Sequence, residues 1–167
     1  MTVFEYGSGS STLWWSKLGA NVISIEHDEY WFNVLTSYIT PTDNIKLQLI
    51  QADAVPWNTS AAPDDPYGYR TRHHGFANAT FKAYVSSIDS YPDSYFNVIL
   101  IDGQARPSCV RHALPKLRSD GLLIIDNANV DTYLAKTMPL LQALRRVSFK
   151  GLAPIDGALS QTDLYFA

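Results

Sequence analysis

The feature that most constrains this chain is an apolar strand that runs into a glycine turn and on into a helix. The residues are Val3-Phe4-Glu5-Tyr6-Gly7-Ser8-Gly9-Ser10-Ser11-Thr12. Glycines let the backbone turn tightly and approach a ligand closely. The helix expected over Thr12–Leu18 presents unpaired N–H groups at its start. Gly19 supplies a helix stop, and a second apolar run, Val22-Ile23-Ser24-Ile25, ends at Glu26.

A carboxylate ending the second strand is placed to accept both hydroxyls of a ribose, as in dinucleotide-binding folds. The dinucleotide fingerprint asks for a third glycine where Thr12 stands. Glu5, two positions before Gly7, also suits a cationic ligand better than a pyrophosphate. The E-x-G-x-G run with its acidic second-strand end resembles class I S-adenosylmethionine-dependent methyltransferases. The resemblance implies that Glu5, Gly7, Ser8, Gly9 and Thr12 border the methionine half of the cofactor, with Asp102 as a contact to its amino group or to the substrate. It also implies that Glu26 and His27 lie at the ribose, and that Asp53 and Ala54 lie near the adenine. An Asx-turn is the alternative for Asp53. Trp14 or Trp57 would pack on the adenine, or else anchor core and loop.

The remaining elements alternate. Asp28 caps a helix carrying Tyr30, Trp31, Val34, Leu35 and Tyr38 at helical spacing. Ile45–Gln51 alternates like a third strand, and Phe81–Ile88 reads as a helix. Phe96–Ile101 is a nearly continuous apolar run, as expected of a parallel strand buried on both faces. A helix is expected from Pro107 through Leu117, then a turn at Ser119-Asp120-Gly121, a fifth strand over Leu122–Ile125, and a helix around Leu140–Arg146. Ser148–Leu152 and Thr162–Phe166 have no helix between them, which suggests an antiparallel pair at the sheet edge. The expected fold is therefore α/β, a doubly wound and mostly parallel sheet in one domain spanning 1–167.

Composition narrows the function. The chain has 167 residues, 46% of them apolar and 17% charged, with a net charge of -3. Its longest basic run is Arg145-Arg146, so a phosphate-tracking nucleic-acid surface is not expected. No apolar run reaches the roughly 20 residues that span a bilayer. The single cysteine, Cys109, suits a reducing compartment and reads as a small buried helix residue. No leader-like basic and apolar start is evident, so the cytoplasm is the expected location, and the triplets beginning at Asn58 and Asn78 read as chance matches to the glycosylation pattern.

Val55–Ala79 is long for a connection inside a compact domain and carries Trp57, Tyr67, Tyr69, Arg70, Arg72, His73 and His74. Such segments serve as lids or run over the surface. Its aromatic and basic side chains would recognise a flat or anionic substrate. The methyltransferase resemblance implies N-terminal helices over the cofactor, a cover expected here from Val55–Ala79, from another subunit, as in a homo-oligomer, or from nowhere.

Acids end the strands repeatedly: Glu5, Glu26, Asp53, Asp102 and Asp126. Asp102 with Asp126-Asn127 resembles the metal-dependent catechol and caffeoyl-CoA type O-methyltransferases, which implies a Mg²⁺ or Ca²⁺ site at Asp102, Asp126 and Asn127. The lysine those enzymes carry three residues after the first aspartate is Ala105 here. Arg106 follows, whose guanidinium clamps anions but cannot act as a base. The expected reaction is methyl transfer to a small-molecule oxygen, with Asp102 and Arg106 as catalytic residues. The alternatives are a cofactor-binding module without activity and a nicotinamide-dependent oxidoreductase.

Overall fold

The computed structural model describes residues 1–55, 61–129, 134–153 and 157–167. Trp57 and the Asn58 triplet lie outside the described residues. The elements in chain order are β1 (Thr2–Tyr6), α1 (Ser10–Lys17), β2 (Asn21–Glu26), α2 (Glu29–Thr36) and β3 (Ile45–Leu49). A short pair, β4 (Asp53–Ala54) and β5 (Ala79–Thr80), brackets the long excursion. Then follow α3 (Lys82–Ser86), β6 (Phe96–Ile101), α4 (Arg106–Ala113), β7 (Leu117–Ile125), α5 (Met138–Leu141), β8 (Arg145–Leu152) and β9 (Leu159–Phe166).

Seven strands form one sheet in the order β3-β2-β1-β6-β7-β9-β8. β1, β2, β3, β6 and β7 are parallel, while β9 runs antiparallel to both β7 and β8. The order reverses between β1 and β6, where a crevice opens beyond the carboxyl ends of parallel strands. The apolar sequence of β6 follows from its central place, covered on both faces.

Strand alternation sends side chains to two cores. Phe4, Tyr6, Ile99 and Ile101 pack with Phe81, Tyr84, Cys109 and Val110 under α3 and α4. Val3, Val22 and Val98 meet Ala20 and Trp15 on the opposite face. Gly19 ends α1 at φ 79°, its amide donating to the Ser16 carbonyl at 2.8 Å. Asp28 caps α2 by accepting from the Trp31 amide at 2.7 Å.

Several boundaries differ from the sequence expectation. α4 ends at Ala113, a single 3₁₀ turn covers Leu114–Lys116, and β7 begins at Leu117. Pro115 has no N–H with which to continue the helix. The pairing then jumps from Phe96↔Leu117 to Val98↔Leu122, so the expected turn at 119–121 is a loop-out within one strand. α5 covers only Met138–Leu141, and Arg145 and Arg146 already belong to β8. There, Arg146 reaches the buried Asp163 at 2.7 Å. Among the described residues no helix is long and apolar enough to cross a membrane.

Candidate functional site

The glycine turn is built around two buried carboxylates with different tasks. Glu5 lies on the same sheet face as Val3 and pairs in register with Ser24, which points the carboxylate under α1. Its oxygens accept from the Ser11, Thr12 and Ser24 hydroxyls, the last at 2.8 Å, and it is fully buried. Burial pushes its pKa above the usual carboxylate range, against the pull of those three hydroxyls. Thr12, also fully buried, accepts from the Gly9 amide at 3.0 Å. This corrects the expectation that Glu5 and Thr12 border a ligand: strand parity turns them inward, and they fasten the turn to the sheet.

Glu26 stands at the tip of β2 and is 3% exposed. Its Oε2 accepts from the Ser8 amide at 3.0 Å and the Ser8 hydroxyl at 2.9 Å. Its Oε1 accepts from the His27 and Asp28 amides at 2.7 and 2.8 Å. Burial pushes this pKa up, but the nearby His27 ring first, then the Asp28 amide and the Ser8 hydroxyl and amide, outweigh it and hold the group down at about 2. The His27 Nδ1 lies 2.9 Å from Oε1 without the alignment of a hydrogen bond. Glu26 is thus held ionised, and the Ser8 hydroxyl is the one donor of the four that can rotate away to admit another.

Gly7 has φ 88°, and a Cβ there would lie 2.8 Å from the Gly103 backbone. The ends of β1 and β6 therefore cross in direct backbone contact at the crevice. Gly9 adopts extended backbone, and a Cβ there would find no atom nearer than 3.9 Å. Its Cα faces open space, which leaves room for a ligand to lie against the turn. Trp31 braces the turn from α2, its Nε1 donating to the Ser8 carbonyl at 2.7 Å.

Two cavities flank this crossing. The larger, about 640 Å³, is lined by His27, Gln51, Ala52, Ala54 and the excursion residues His74–Ala79. The His27 ring packs edge-on to Phe76, Phe81 and Tyr84. Asp53 is not among the lining residues: in the β4 ladder it pairs with Thr80, and alternation turns it away from the side that Ala52 and Ala54 face. Trp14 is 52% exposed on α1 with its edge on Trp15, apart from either cavity. The second cavity, about 530 Å³, is lined by Thr71, Arg72, His73, His74, Asp102, Gly103, Gln104 and Arg106. His74 borders both, so the described part of the excursion lines one side of each.

The excursion is pinned to α4. Tyr69 N–H donates to Ser108 Oγ at 3.0 Å, and Arg111 reaches the Pro66 carbonyl and the Tyr69 hydroxyl at 2.9 and 2.7 Å. Arg70 donates to the Ala77 and Ala79 carbonyls, and the Thr71 hydroxyl to Gln104. Gln104 and Thr71 carried no motif in the sequence; only the length of the excursion hinted that it lines the cleft.

Asp102 ends β6, with its side chain 45% exposed into the cavity. Burial raises its pKa, Arg106 lowers it, and nearby Asp126 raises it again, to about 7. Ala105, at φ 49°, starts α4 and places Arg106 Nη2 at 3.1 Å from Asp102 Oδ1. The three residues of the expected metal site have other partners as they stand. Arg106 holds Oδ1 of Asp102 at 3.1 Å, and the Asp126 carboxylate lies near that of Asp102. Asp126 also accepts from Thr162 at 2.6 Å, and Asn127 donates to Ser160 at 3.1 Å. Cys109 is buried, as its small size suggested, with its thiol on the Gln104 carbonyl.

No family model matches the chain, and no curated protein matches it in sequence. Solved structures match it in shape. The O-methyltransferase from Bacillus cereus in complex with SAH superposes with TM-score 0.64 at 16% identity, covering 99% of this chain and 74% of that one. The O-methyltransferase TomG from Streptomyces achromogenes, in complex with SAM, gives 0.61 at 11% identity over 99% and 73%. An rRNA methylase from Streptococcus thermophilus gives 0.61 at 13% identity over 99% and 86%. The strand order, the antiparallel edge pair and these superpositions agree that the chain has the Rossmann-like fold of class I S-adenosylmethionine-dependent methyltransferases.

Proposed function

We propose that this chain is an S-adenosylmethionine-dependent methyltransferase acting on an oxygen of a small molecule. The observation that carries the reading is Glu26, held ionised at the tip of β2 beside Gly9, which leaves open space where the strand order reverses. Glu26 and Ser8 would hold the ribose, Gly7 and Gly9 would line the methionine half, and His27, Ala52 and Ala54 would flank the adenine. When bound, S-adenosylmethionine supplies a sulfonium-activated methyl group to the acceptor oxygen and leaves as the thioether.

The chain's own work is positioning and proton handling. Asp102 takes the hydroxyl proton of the acceptor; its pKa of about 7 suits a general base near neutral pH. Arg106, 3.1 Å away, holds that carboxylate in place. The excursion, through Thr71, Phe76 and Ala77, forms one wall of the cleft. The net charge of -3 and the lack of a basic tract favour a small acceptor over a nucleic acid.

The test is transfer of labelled methyl from S-adenosylmethionine to a panel of small hydroxylated acceptors, run beside S-adenosylhomocysteine binding. Binding with transfer to a hydroxyl supports the reading. Binding without transfer to any acceptor supports a cofactor-binding module instead.

A further inference from the structure

A chain of polar groups runs from the excursion to the carboxylate of Glu26, and its order fixes a proton. The Thr71 hydroxyl donates to the side-chain carbonyl oxygen of Gln104. With that oxygen engaged, the Gln104 amide nitrogen is the atom turned to His27, 3.4 Å from Nε2. An amide nitrogen can only donate, so Nε2 is the ring nitrogen without a proton, and the proton sits on Nδ1.

The other end of the ring leads to the same assignment independently. Nδ1 lies 2.9 Å from Glu26 Oε1. A bare lone pair there would repel the carboxylate, whereas an N–H turns its positive end toward it. An imidazolium would also satisfy Glu26, but it would set an Nε2–H against the Gln104 amide. The neutral Nδ1–H ring suits both neighbours.

His27 has little freedom to choose otherwise. Its side chain is 16% exposed, and Phe76, Phe81 and Tyr84 stand edge-on around the ring at centroid distances of 5.6, 5.7 and 6.2 Å. Among the described residues its ring nitrogens meet only Glu26 and Gln104. His27 borders the larger cavity and Gln104 the smaller, so their contact is where the two cavities adjoin.

We infer that Thr71 and Gln104 are positioning residues for the ribose site: they hold His27 as the Nδ1–H tautomer facing Glu26, and so couple docking of the excursion to capture of the ribose. Nδ1 is buried without an aligned hydrogen-bond partner, so a small turn of the ring completes the bond when Glu26 engages the sugar. The coupling to the ribose rests on the methyltransferase reading; the order of the protons does not.

The experiment pairs two readouts. Long-range ¹H–¹⁵N NMR at about pH 8, where an ordinary imidazole is neutral, reads the tautomer, with the His27 signals assigned by their loss in His27→Gln. Calorimetry with S-adenosylhomocysteine reads the coupling. The expected spectrum shows Nδ1 protonated and Nε2 bare. Thr71→Val should weaken S-adenosylhomocysteine about fivefold, the size of one neutral hydrogen bond, and Thr71→Ser should keep the wild-type affinity. In a Gln104→Met background Thr71→Val should add nothing, as expected of residues that act through one another. A wild-type His27 protonated on Nε2 overturns the inference, and so do additive effects of Thr71→Val and Gln104→Met. If S-adenosylhomocysteine binds and neither variant weakens it, the inference fails and the methyltransferase reading stands. If the tautomer is as expected while S-adenosylhomocysteine does not bind, the proton order stands, and the coupling falls with the methyltransferase reading.

Discussion

The hydroxyl and the amide of Ser8 both donate to one oxygen of Glu26, at 2.9 and 3.0 Å. Glu26 is thereby locked to the glycine turn before any ligand arrives, and the two residues separate stability from binding. Ser8→Ala removes the hydroxyl but not the amide. It should cost about 1 kcal/mol of stability in urea unfolding and weaken S-adenosylhomocysteine by less than Glu26→Gln does. Glu26→Gln puts an amide donor against N–H groups and should weaken that affinity by about 1–3 kcal/mol. Equal effects of the two variants on affinity would contradict the division.

Acid should reveal Glu26 directly. Its pKa is about 2 in the folded chain against an ordinary 4.5. A depressed folded value means that its stabilisation is fully present above about 4.5 and is lost as pH falls toward 2. The full span is worth on the order of 3 kcal/mol. Urea unfolding at successive pH values between 5 and 2.5 should show the loss, and Glu26→Gln should flatten that limb.

Asp102 works in the opposite sense. Its folded pKa of about 7 lies above its ordinary 3.8, so its contribution to stability falls as pH rises through that interval. Water in the cleft screens this partly exposed group, so the stability effect should be small. The catalytic effect should not be: the transfer rate should rise with pH through about 7. Asp102→Asn should abolish that rise and lower the rate at least about 100-fold, with S-adenosylhomocysteine affinity kept.

Gly7 and Gly103 touch across the crevice, and the two substitutions fail for different reasons. Gly7→Ala meets the Gly103 backbone at 2.8 Å and requires a side chain at φ 88°, so folding should be lost or weakened by more than about 2 kcal/mol. Gly103→Ala meets chiefly the Tyr84 hydroxyl, at 2.0 Å. Tyr84→Phe should therefore partly rescue the melting temperature of Gly103→Ala and do nothing for Gly7→Ala. Equal rescue of both would contradict the packing.

Chelation supplies a check on Arg106. Because its guanidinium holds Asp102 Oδ1, treatment with EDTA should leave transfer unchanged, and added Mg²⁺ should not stimulate it. Metal-dependent activity would contradict that arrangement.

The sequence made the sheet legible because its parallel strands are continuous apolar runs closed by glycine turns and caps. Val3–Tyr6, Val22–Glu26 and Phe96–Ile101 needed nothing else. The acids at the strand ends were legible as a set, yet not in direction. Glu5 and Asp53 are turned aside by strand parity, and parity depends on which face α1 and β5 cover. Arg106 resembled a substrate clamp in sequence, but its i,i+4 partner is Asp102 itself. The excursion wall was hidden for a different reason. Its ties run from Tyr69 to Ser108 and from Arg111 to Pro66, some forty residues apart, and no local pattern encodes such pairs. The helix expected through Leu117 overlooked Pro115, which has no N–H to extend α4 past Ala113, and the loop-out at 118–121 is set by pairing with β6 and β9, which lies beyond local reading.

The most direct measurement is calorimetric titration of the purified chain with S-adenosylhomocysteine and, separately, with NADH. One site per chain for S-adenosylhomocysteine, weakened by Glu26→Gln, with no heat from NADH, is the result this account predicts. Saturating S-adenosylhomocysteine that yields neither heat nor a rise in melting temperature, or binding of NADH in its place, would contradict it.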